Sequence, residues 1–417
     1  MSKIKSPRQV KYLALEGGGG KGITYLGAIQ ALEQLQVLPL DIQSPNTNQI
    51  KGISGASAGA IIGLFLAMGL SASELENILN QPNELNGFFD DPAIGNSRMI
   101  DKDFQPTIFN TLSFDDTSKV VQMDKYKKIK TLQKLASTVA YIFQKTDANN
   151  NDPILQKLIQ HPKLYAYNLI FDKGLFPGFA VRSFLREKVN KYLISKIKKD
   201  SFSETNLDGG TINFETFYKL TGVDLVVTGS NISNNQPAAF SKRLTPLFPV
   251  IEAVGISMNL PLIFKPVFVE WNNTLDNLNK ENRPYQGLWV DGAVLNNFPL
   301  HAFNYLVPPI SKKYPYLRPL NQDVLGLRLV NDTKINKDEI NQANNYGIFD
   351  ILKGHVGNIF NTLLHPSGTG QIRTTEEAEQ TVELCTYNLE LTNFSPSSTI
   401  KKKPIENAEK TVLSYFN

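Results

Sequence analysis

The sequence predicts an α/β fold built on a central, mostly parallel sheet and interrupted by a helical cap. Three observations carry this expectation. A short apolar strand, a glycine-rich turn and a helix follow one another twice before residue 70. Residues 71–173 then break the rhythm, with Asn/Asp/Pro clusters at 80–92 and 147–153 around a lysine-rich stretch. From residue 174 onward, short apolar runs and helical stretches alternate again. Repetition of strand, turn and helix is how a chain lays strands side by side in parallel, because each crossover needs a connecting helix.

The elements follow in order. Residues 12–15 (Tyr-Leu-Ala-Leu) read as a buried strand, ended by Glu16 and a glycine run. Residues 23–35 carry apolar side chains at Leu26, Ile29, Ala31, Leu32 and Leu35, the spacing of one helix face. Residues 50–53 form a second strand candidate, and residues 58–68 an apolar helix. Residues 71–173 read as an insertion or cap. Regular structure resumes at residues 174–177, followed by a helix over about 180–198 and strands at 225–228 and 323–329. The last third alternates short strands with helical pieces and ends in a polar tail that begins at Lys401, Lys402 and Lys403.

Composition limits the function classes. The chain has 417 residues, 41% hydrophobic and 20% charged, enough for a large core. A net charge of +4 permits attraction to an anionic membrane but is too mild for a chain this long to indicate nucleic-acid binding by itself, so nucleic acid is not an expected partner. A lone cysteine, Cys385, excludes an internal disulfide. Four scattered histidines argue against a zinc site, and no metal or other cofactor is expected. Residues 1–12 lack the apolar run of a secretory signal, and the longest apolar stretch, residues 60–70, is too short to span a bilayer. The expectation is a cytoplasmic chain that associates peripherally with membranes; export without a cleaved signal is compatible with it.

Two glycine motifs carry the chemistry. Gly17, Gly18, Gly19, Gly20, Lys21 and Gly22 lie between a strand and a helix. Such a turn aims several backbone N–H groups at one point near the positive end of a helix. It is not a phosphate-binding P-loop: Gly22 stands where Ser or Thr is needed, and Leu15 where the first glycine is needed. It does match a dinucleotide-binding fingerprint, with Asp41 near the place of the ribose-binding acid. The second motif, Gly55-Ala56-Ser57-Ala58-Gly59, follows a strand and opens a helix, the setting of a nucleophile elbow. Read alone, it could equally be a small-residue helix start chosen for packing. Together, the two motifs supply what acyl transfer needs, a nucleophile and donors aimed at the oxyanion. Ser57 is the better candidate than Ser54, around which the motif is incomplete.

A serine nucleophile needs a proton acceptor. His161 and His365 precede prolines in loop-like sequence, and His301 could complete a triad. Asp291 ends the apolar run Leu288-Trp289-Val290 and precedes Gly292 and Ala293, which places a carboxylate at the end of a strand. A structural Asp in a tight turn reads the same way.

These motifs resemble those of the patatin-like phospholipase family. The family's oxyanion motif stands as residues 17–22, its serine motif as residues 55–59, and its Asp-Gly-Gly/Ala as Asp291, Gly292 and Ala293. Asn296-Asn297-Phe298-Pro299 continues the pattern, and Ile256-Ser257-Met258 through Pro261, then Phe264-Lys265-Pro266, precede it. The similarity covers about residues 10–330, with 71–173 as its insertion and 331–417 completing the domain. The resemblance implies a three-layer fold with a central mostly parallel sheet and a helical cap. It implies a Ser57–Asp291 dyad without histidine, an oxyanion hole at Gly17, Gly18 and Gly19, and hydrolysis of fatty acyl esters in membrane phospholipids or other lipids without metal. The insertion and the Lys/Asn-rich composition resemble secreted bacterial members, which implies a possible activating host protein. Two other readings stay open: a dinucleotide-dependent oxidoreductase using residues 17–22, and a non-catalytic lipid- or protein-binding module on the same fold.

One further stretch bears on membranes. Residues 124–145 combine Lys125, Lys127, Lys128, Lys130, Lys134 and Lys145 with an apolar stripe at Ile129, Leu132, Leu135, Val139, Ile142 and Phe143. This suits an anionic interface, or equally a surface helix packed on the core.

Overall fold

The computed structural model describes residues 4, 6–81, 88, 110–111, 165–166, 168–169, 172–197, 207–270, 285–314, 316–331, 374–387, 389 and 396–417. The basic stretch at 124–145, the cluster at 147–153 and His161, His355 and His365 lie outside these residues.

The described strands are β1 (Tyr12–Leu15), β2 (Gly52–Gly55), β3 (Asn110–Thr111), β4 (Gly174–Phe176), β5 (Asp224–Asn231), β6 (Gln236–Phe240), β7 (Leu262–Phe264), β8 (Val267–Glu270), β9 (Gly287–Asp291), β10 (Val324–Val330) and β11 (Thr381–Cys385). The described α-helices are α1 (Tyr25–Gln34), α2 (Ala58–Ala67), α3 (Ala72–Leu79), α4 (Phe179–Tyr192), α5 (Phe214–Thr221), α6 (Val250–Ser257), α7 (Ala293–Asn296), α8 (Thr375–Glu379) and α9 (Ser398–Phe416).

Nine of these strands form one mixed sheet. Its parallel part runs β11-β10-β1-β2-β5. Strands β6, β9, β8 and β3 are added antiparallel. The register places them. Val227 pairs with Gly55 of β2 on one side and with Phe240 of β6 on the other. Gly229 pairs with Ala238 of β6 and with Asp291 of β9. A strand residue has two edges, so β2 and β9 share one edge of β5 and meet there head to head. The expectation of a parallel sheet with helices holds, while the strand bearing Asp291 is antiparallel.

Side chains alternate across the strands, as the pleat requires. Leu13, Leu15, Ile53, Leu225, Val227, Leu325 and Leu327 join the large core with α1, α2 and α6. Ala14 and Val226 face the other side, under Phe298, Leu300 and Phe303. The middle strands are buried on both faces, which is why β2 reads poorly from sequence: its residues are Gly-Ile-Ser-Gly, and it begins two positions later than the apolar run suggests. The helix expected over 23–35 begins as a 3₁₀ turn over Gly19–Thr24 before α1. The helix expected to reach residue 198 ends at Tyr192 and is followed by a 3₁₀ turn, Ile194–Lys196.

Two segments differ from expectation. The opening of the 71–173 insertion is helix α3, started by a capping box of Ser71 and Glu74, with Leu75 and Ile78 buried in the main core. The sequence from Lys401 is no tail but lies inside α9, which packs along α1. Pro404, Ala408 and Val412, at i, i+4 and i+8, form its buried stripe. Three neighbouring lysines and a mid-helix proline disguise that stripe in the sequence.

Candidate functional site

Ser57 sits in the turn between β2 and α2 with φ 49° and ψ −122°. A non-glycine residue rarely adopts this conformation, and it costs on the order of 1–3 kcal/mol. The turn is possible because its neighbours are small. A Cβ on Gly59 would lie 2.5 Å from the Leu15 carbonyl oxygen, so α2 can only start this close to β1 with glycine there. Gly55 ends β2 under the same constraint, facing the Gly59 carbonyl. The strained turn pushes the Ser57 side chain out at the positive end of α2.

Asp291 ends β9 opposite Gly229. Ser57 lies two residues past Gly55, itself opposite Val227. The two side chains are therefore brought level by β5, and the Ser57 hydroxyl donates to Asp291 Oδ2 at 2.8 Å. The other carboxylate oxygen, Oδ1, accepts the Ala293 N–H at 2.8 Å, across Gly292. Asp291 is fully buried. Burial pushes its carboxyl up to about 7, against the pull of the Ala293 N–H and the Ser57 hydroxyl. A carboxylate in this state accepts a proton near neutral pH.

The segment after α6 holds both residues in place. Ser257 Oγ accepts the Ser57 N–H at 2.9 Å, the Ser257 carbonyl accepts the Gly292 N–H at 3.3 Å, and the Asn259 carbonyl accepts the Asp291 N–H at 2.9 Å. Ser257 and Asn259 are buried polar residues at the end of an apolar helix, a signal visible in the sequence, but which residues they hold could not be read there.

The glycine run folds over this pair. Gly17 touches the site most closely: a Cβ there would lie 2.3 Å from Asn297 Oδ1 and 3.0 Å from Ser57 Cβ. Its N–H, expected to face an oxyanion, instead donates to the Asn297 carbonyl at 3.1 Å. The chain has by then left β10, where Glu16 N–H is the last to pair. Gly18 and Gly19 N–H groups have no backbone acceptor among the described residues, so the expectation of oxyanion donors passes to them. Asn297 Nδ2 donates to the Gly17 carbonyl at 3.2 Å, and the buried Glu16 carboxylate accepts the Leu329 N–H at 2.6 Å. Lys21 is buried and donates to Asn331 Oδ1 at 2.9 Å; burial lowers its pKa.

Ser57 opens on an apolar pocket. Gly19, Gly20 and Gly22 form one rim, and Ile23, Ile61, Ile62, Phe65, Leu79, Phe88, Phe184, Met258 and Leu260 line the rest with Ala58. A pocket lined this way favours an apolar group over water.

The other candidates fall elsewhere. The side chain of His301 is half exposed, with Nε2 3.0 Å from Glu377 Oε1 and Nδ1 against Asn304. It is not part of the Ser57 site. Ser54 Oγ donates to the Pro299 carbonyl at 3.0 Å inside the sheet. Asp41 is exposed and precedes β2, at the amino edge of the sheet, where its carboxylate accepts the Gln43 N–H. A ribose-binding acid must stand at the carboxyl end of the second strand, beside the glycine turn. Residues 55–57 occupy that place, which overturns the dinucleotide reading. Among the described residues no cluster of His, Cys, Asp and Glu could hold a metal ion.

Comparison with known proteins gives three kinds of similarity. The family model for patatin-like phospholipases matches residues 13–304. The chain is 25% identical over 138 residues to the "Probable lipid hydrolase 463L" of Invertebrate iridescent virus 6, covering 33% of this chain and 38% of that protein. It is 39% identical over 74 residues to the "Uncharacterized protein R571" of Acanthamoeba polyphaga mimivirus, covering 18% of this chain and 22% of that one. The chain thus spans well under half the length of these viral relatives. Among solved structures it is similar to VipD from Legionella pneumophila, with 17% identity, coverage of 98% of this chain and 67% of that one, and a TM-score of 0.41. It is also similar to full-length ExoU in complex with SpcU, from the type III secretion system of Pseudomonas aeruginosa, with 15% identity, coverage of 99% and 52%, and a TM-score of 0.39.

Proposed function

The chain belongs to the patatin-like phospholipase family, and on that premise we propose that it is a serine lipid acyl hydrolase working through Ser57 and Asp291. The observation that carries the reading is the 2.8 Å hydrogen bond between these two buried residues, with Ser57 lining an apolar pocket.

The chemistry follows from the geometry. Asp291 takes the Ser57 proton as Oγ attacks the ester carbonyl. Gly18 and Gly19 N–H groups, and the positive end of α2, stabilise the oxyanion of the tetrahedral intermediate. The intermediate collapses, the alcohol leaves with the proton from Asp291, and the acyl group stays on Ser57. Water then gives a proton to Asp291 and attacks the acyl carbonyl. Release of the fatty acid returns the proton to Ser57. No histidine is required, because burial has already moved the Asp291 carboxyl to the range a general base needs.

The apolar pocket supports a fatty acyl chain as the part of the substrate that is bound. Membrane phospholipids are the proposed source. No helix of the described residues is long and apolar enough to cross a membrane, so the encounter with lipid is proposed to be peripheral. The test is labelling by a fluorophosphonate probe, which must occur on the wild type and vanish in Ser57→Ala. A panel of phospholipid, lysophospholipid and neutral-lipid vesicles then identifies the substrate, with and without eukaryotic extract to reveal a required activating host protein. A wild-type chain that neither reacts with the probe nor hydrolyses any lipid would support the non-catalytic binding module.

A further inference from the structure

The pocket runs along one face of α2. Ser57, Ile61, Ile62 and Phe65 line it, so it follows the helix from the nucleophile to Phe65. Eight residues at a rise of about 1.5 Å place Phe65 roughly 12 Å from Ser57 along that axis. There the pocket meets three phenyl rings. Phe65 and Phe184 are edge to face with centroids 6.2 Å apart, and Phe88 and Phe184 likewise at 5.1 Å. Phe65, Phe184 and Phe88 all line the pocket and are buried, at 0%, 8% and 2% exposure, so they bound it on this side. Edge-to-face aromatic contacts hold such a wall in one arrangement.

We propose that Phe65, Phe88 and Phe184 act as a ruler that limits the acyl chain to a medium length, with Phe184 as its central member. With C–C bonds of about 1.5 Å in zigzag, the stretch from Ser57 to the wall accommodates roughly eight to ten carbons. A longer chain has to displace the wall or leave its end in water. The inference rests on the reading of the pocket as an acyl site. Phe184 sits on α4, outside the glycine, serine and aspartate motifs, so it can vary without touching them.

The test separates the ruler from the hydrolase reading by measuring binding without turnover. In full-length Ser57→Ala protein, saturated fatty acid methyl esters of roughly six to sixteen carbons compete against a fluorescent fatty acid. Affinity gains about fourfold per carbon while each new methylene is buried, from about 0.8 kcal/mol per CH₂. The gain is expected to stop near ten carbons. Adding Phe184→Ala moves the break to longer chains, and adding Phe184→Trp moves it to shorter ones. Phe184→Leu serves in place of Phe184→Ala if the alanine protein does not fold. Opposite shifts support the ruler, since general loosening moves both variants the same way. Superimposed profiles in folded variants, or a gain that continues unbroken to sixteen carbons in the Ser57→Ala protein, would overturn it. A wild type that binds with the expected break but hydrolyses none of the esters, with or without eukaryotic extract, would refute the hydrolase reading and leave the ruler standing.

Discussion

The Ser57 hydroxyl donates to Asp291 Oδ2 because β2 and β9 end against each other on one edge of β5. Neither strand would bring the pair together alone. The Ser57 side chain depends on a local turn, that of Asp291 on the register of an antiparallel strand 234 positions away.

The dyad makes the first prediction. Ser57→Ala and Asp291→Asn are each expected to remove nearly all esterase activity, and the double variant to be no worse, because groups that act as a unit lose function non-additively. His301→Ala is expected to retain activity, since its ring points to Glu377. Initial rates on a soluble chromogenic ester decide this; an inactive, folded His301→Ala protein would remove the dyad assignment.

The second prediction concerns pH and activity. Asp291 must be ionised to accept a proton, and its carboxyl sits at about 7. The kcat/KM for a neutral ester is therefore expected to rise about tenfold per pH unit below 7 and to level off above it. A profile already flat at pH 5 would contradict the raised carboxyl.

Stability should respond in the opposite sense. The folded state holds the Asp291 proton more tightly than the unfolded chain, where the ordinary value is 3.8. Folded Asp291 thus destabilises the protein progressively as pH rises from about 4 to about 7, by about 1.4 kcal/mol for each pH unit in that window. Asp291→Asn is expected to melt higher than wild type at pH 8, with the difference closing towards pH 4. Thermal melts of both proteins across that window test the sign.

Two glycines should differ. In Gly17→Ala the new Cβ meets Asn297 Oδ1 and the Ser57 side chain, both fixed in the buried site. In Gly18→Ala it meets the end of Leu329, which can move. Gly18→Ala is expected to fold and to lose on the order of 10²-fold in kcat through a displaced donor. Gly17→Ala is expected to lose both melting temperature and activity. Equal melting temperatures for the two variants would sink this distinction.

Ser257→Ala isolates the support of the turn. It leaves the buried Ser57 N–H without its acceptor, at a cost of about 1–3 kcal/mol. The expected outcome is a lower melting temperature and a reduced kcat with an unshifted pH profile, because Asp291 keeps both its hydrogen bonds. A pH profile displaced by a full pH unit would assign Ser257 a direct part in proton transfer.

What the sequence by itself determined is local. Small residues around Ser57, glycines after a strand and an Asp-Gly-Ala turn are requirements of backbone stereochemistry within a few positions, so they are legible one motif at a time. The helix periodicity of α1 and the apolar run of α2 are legible for the same reason. The tertiary structure decided what depends on register and packing across distant segments. It brought β9 antiparallel onto β5 so that its end meets that of β2, gave the Gly17 N–H to the Asn297 carbonyl and left His301 outside the site. It buried Ser257 behind Ser57 and set Phe184 against Phe65 in the pocket lining. It also placed α9 on α1, where a stripe of Pro404, Ala408 and Val412 among lysines finds its partner. Each of these outcomes is a sum of burial and hydrogen bonding over a whole sheet or helix pair, and no short stretch of chain contains that sum.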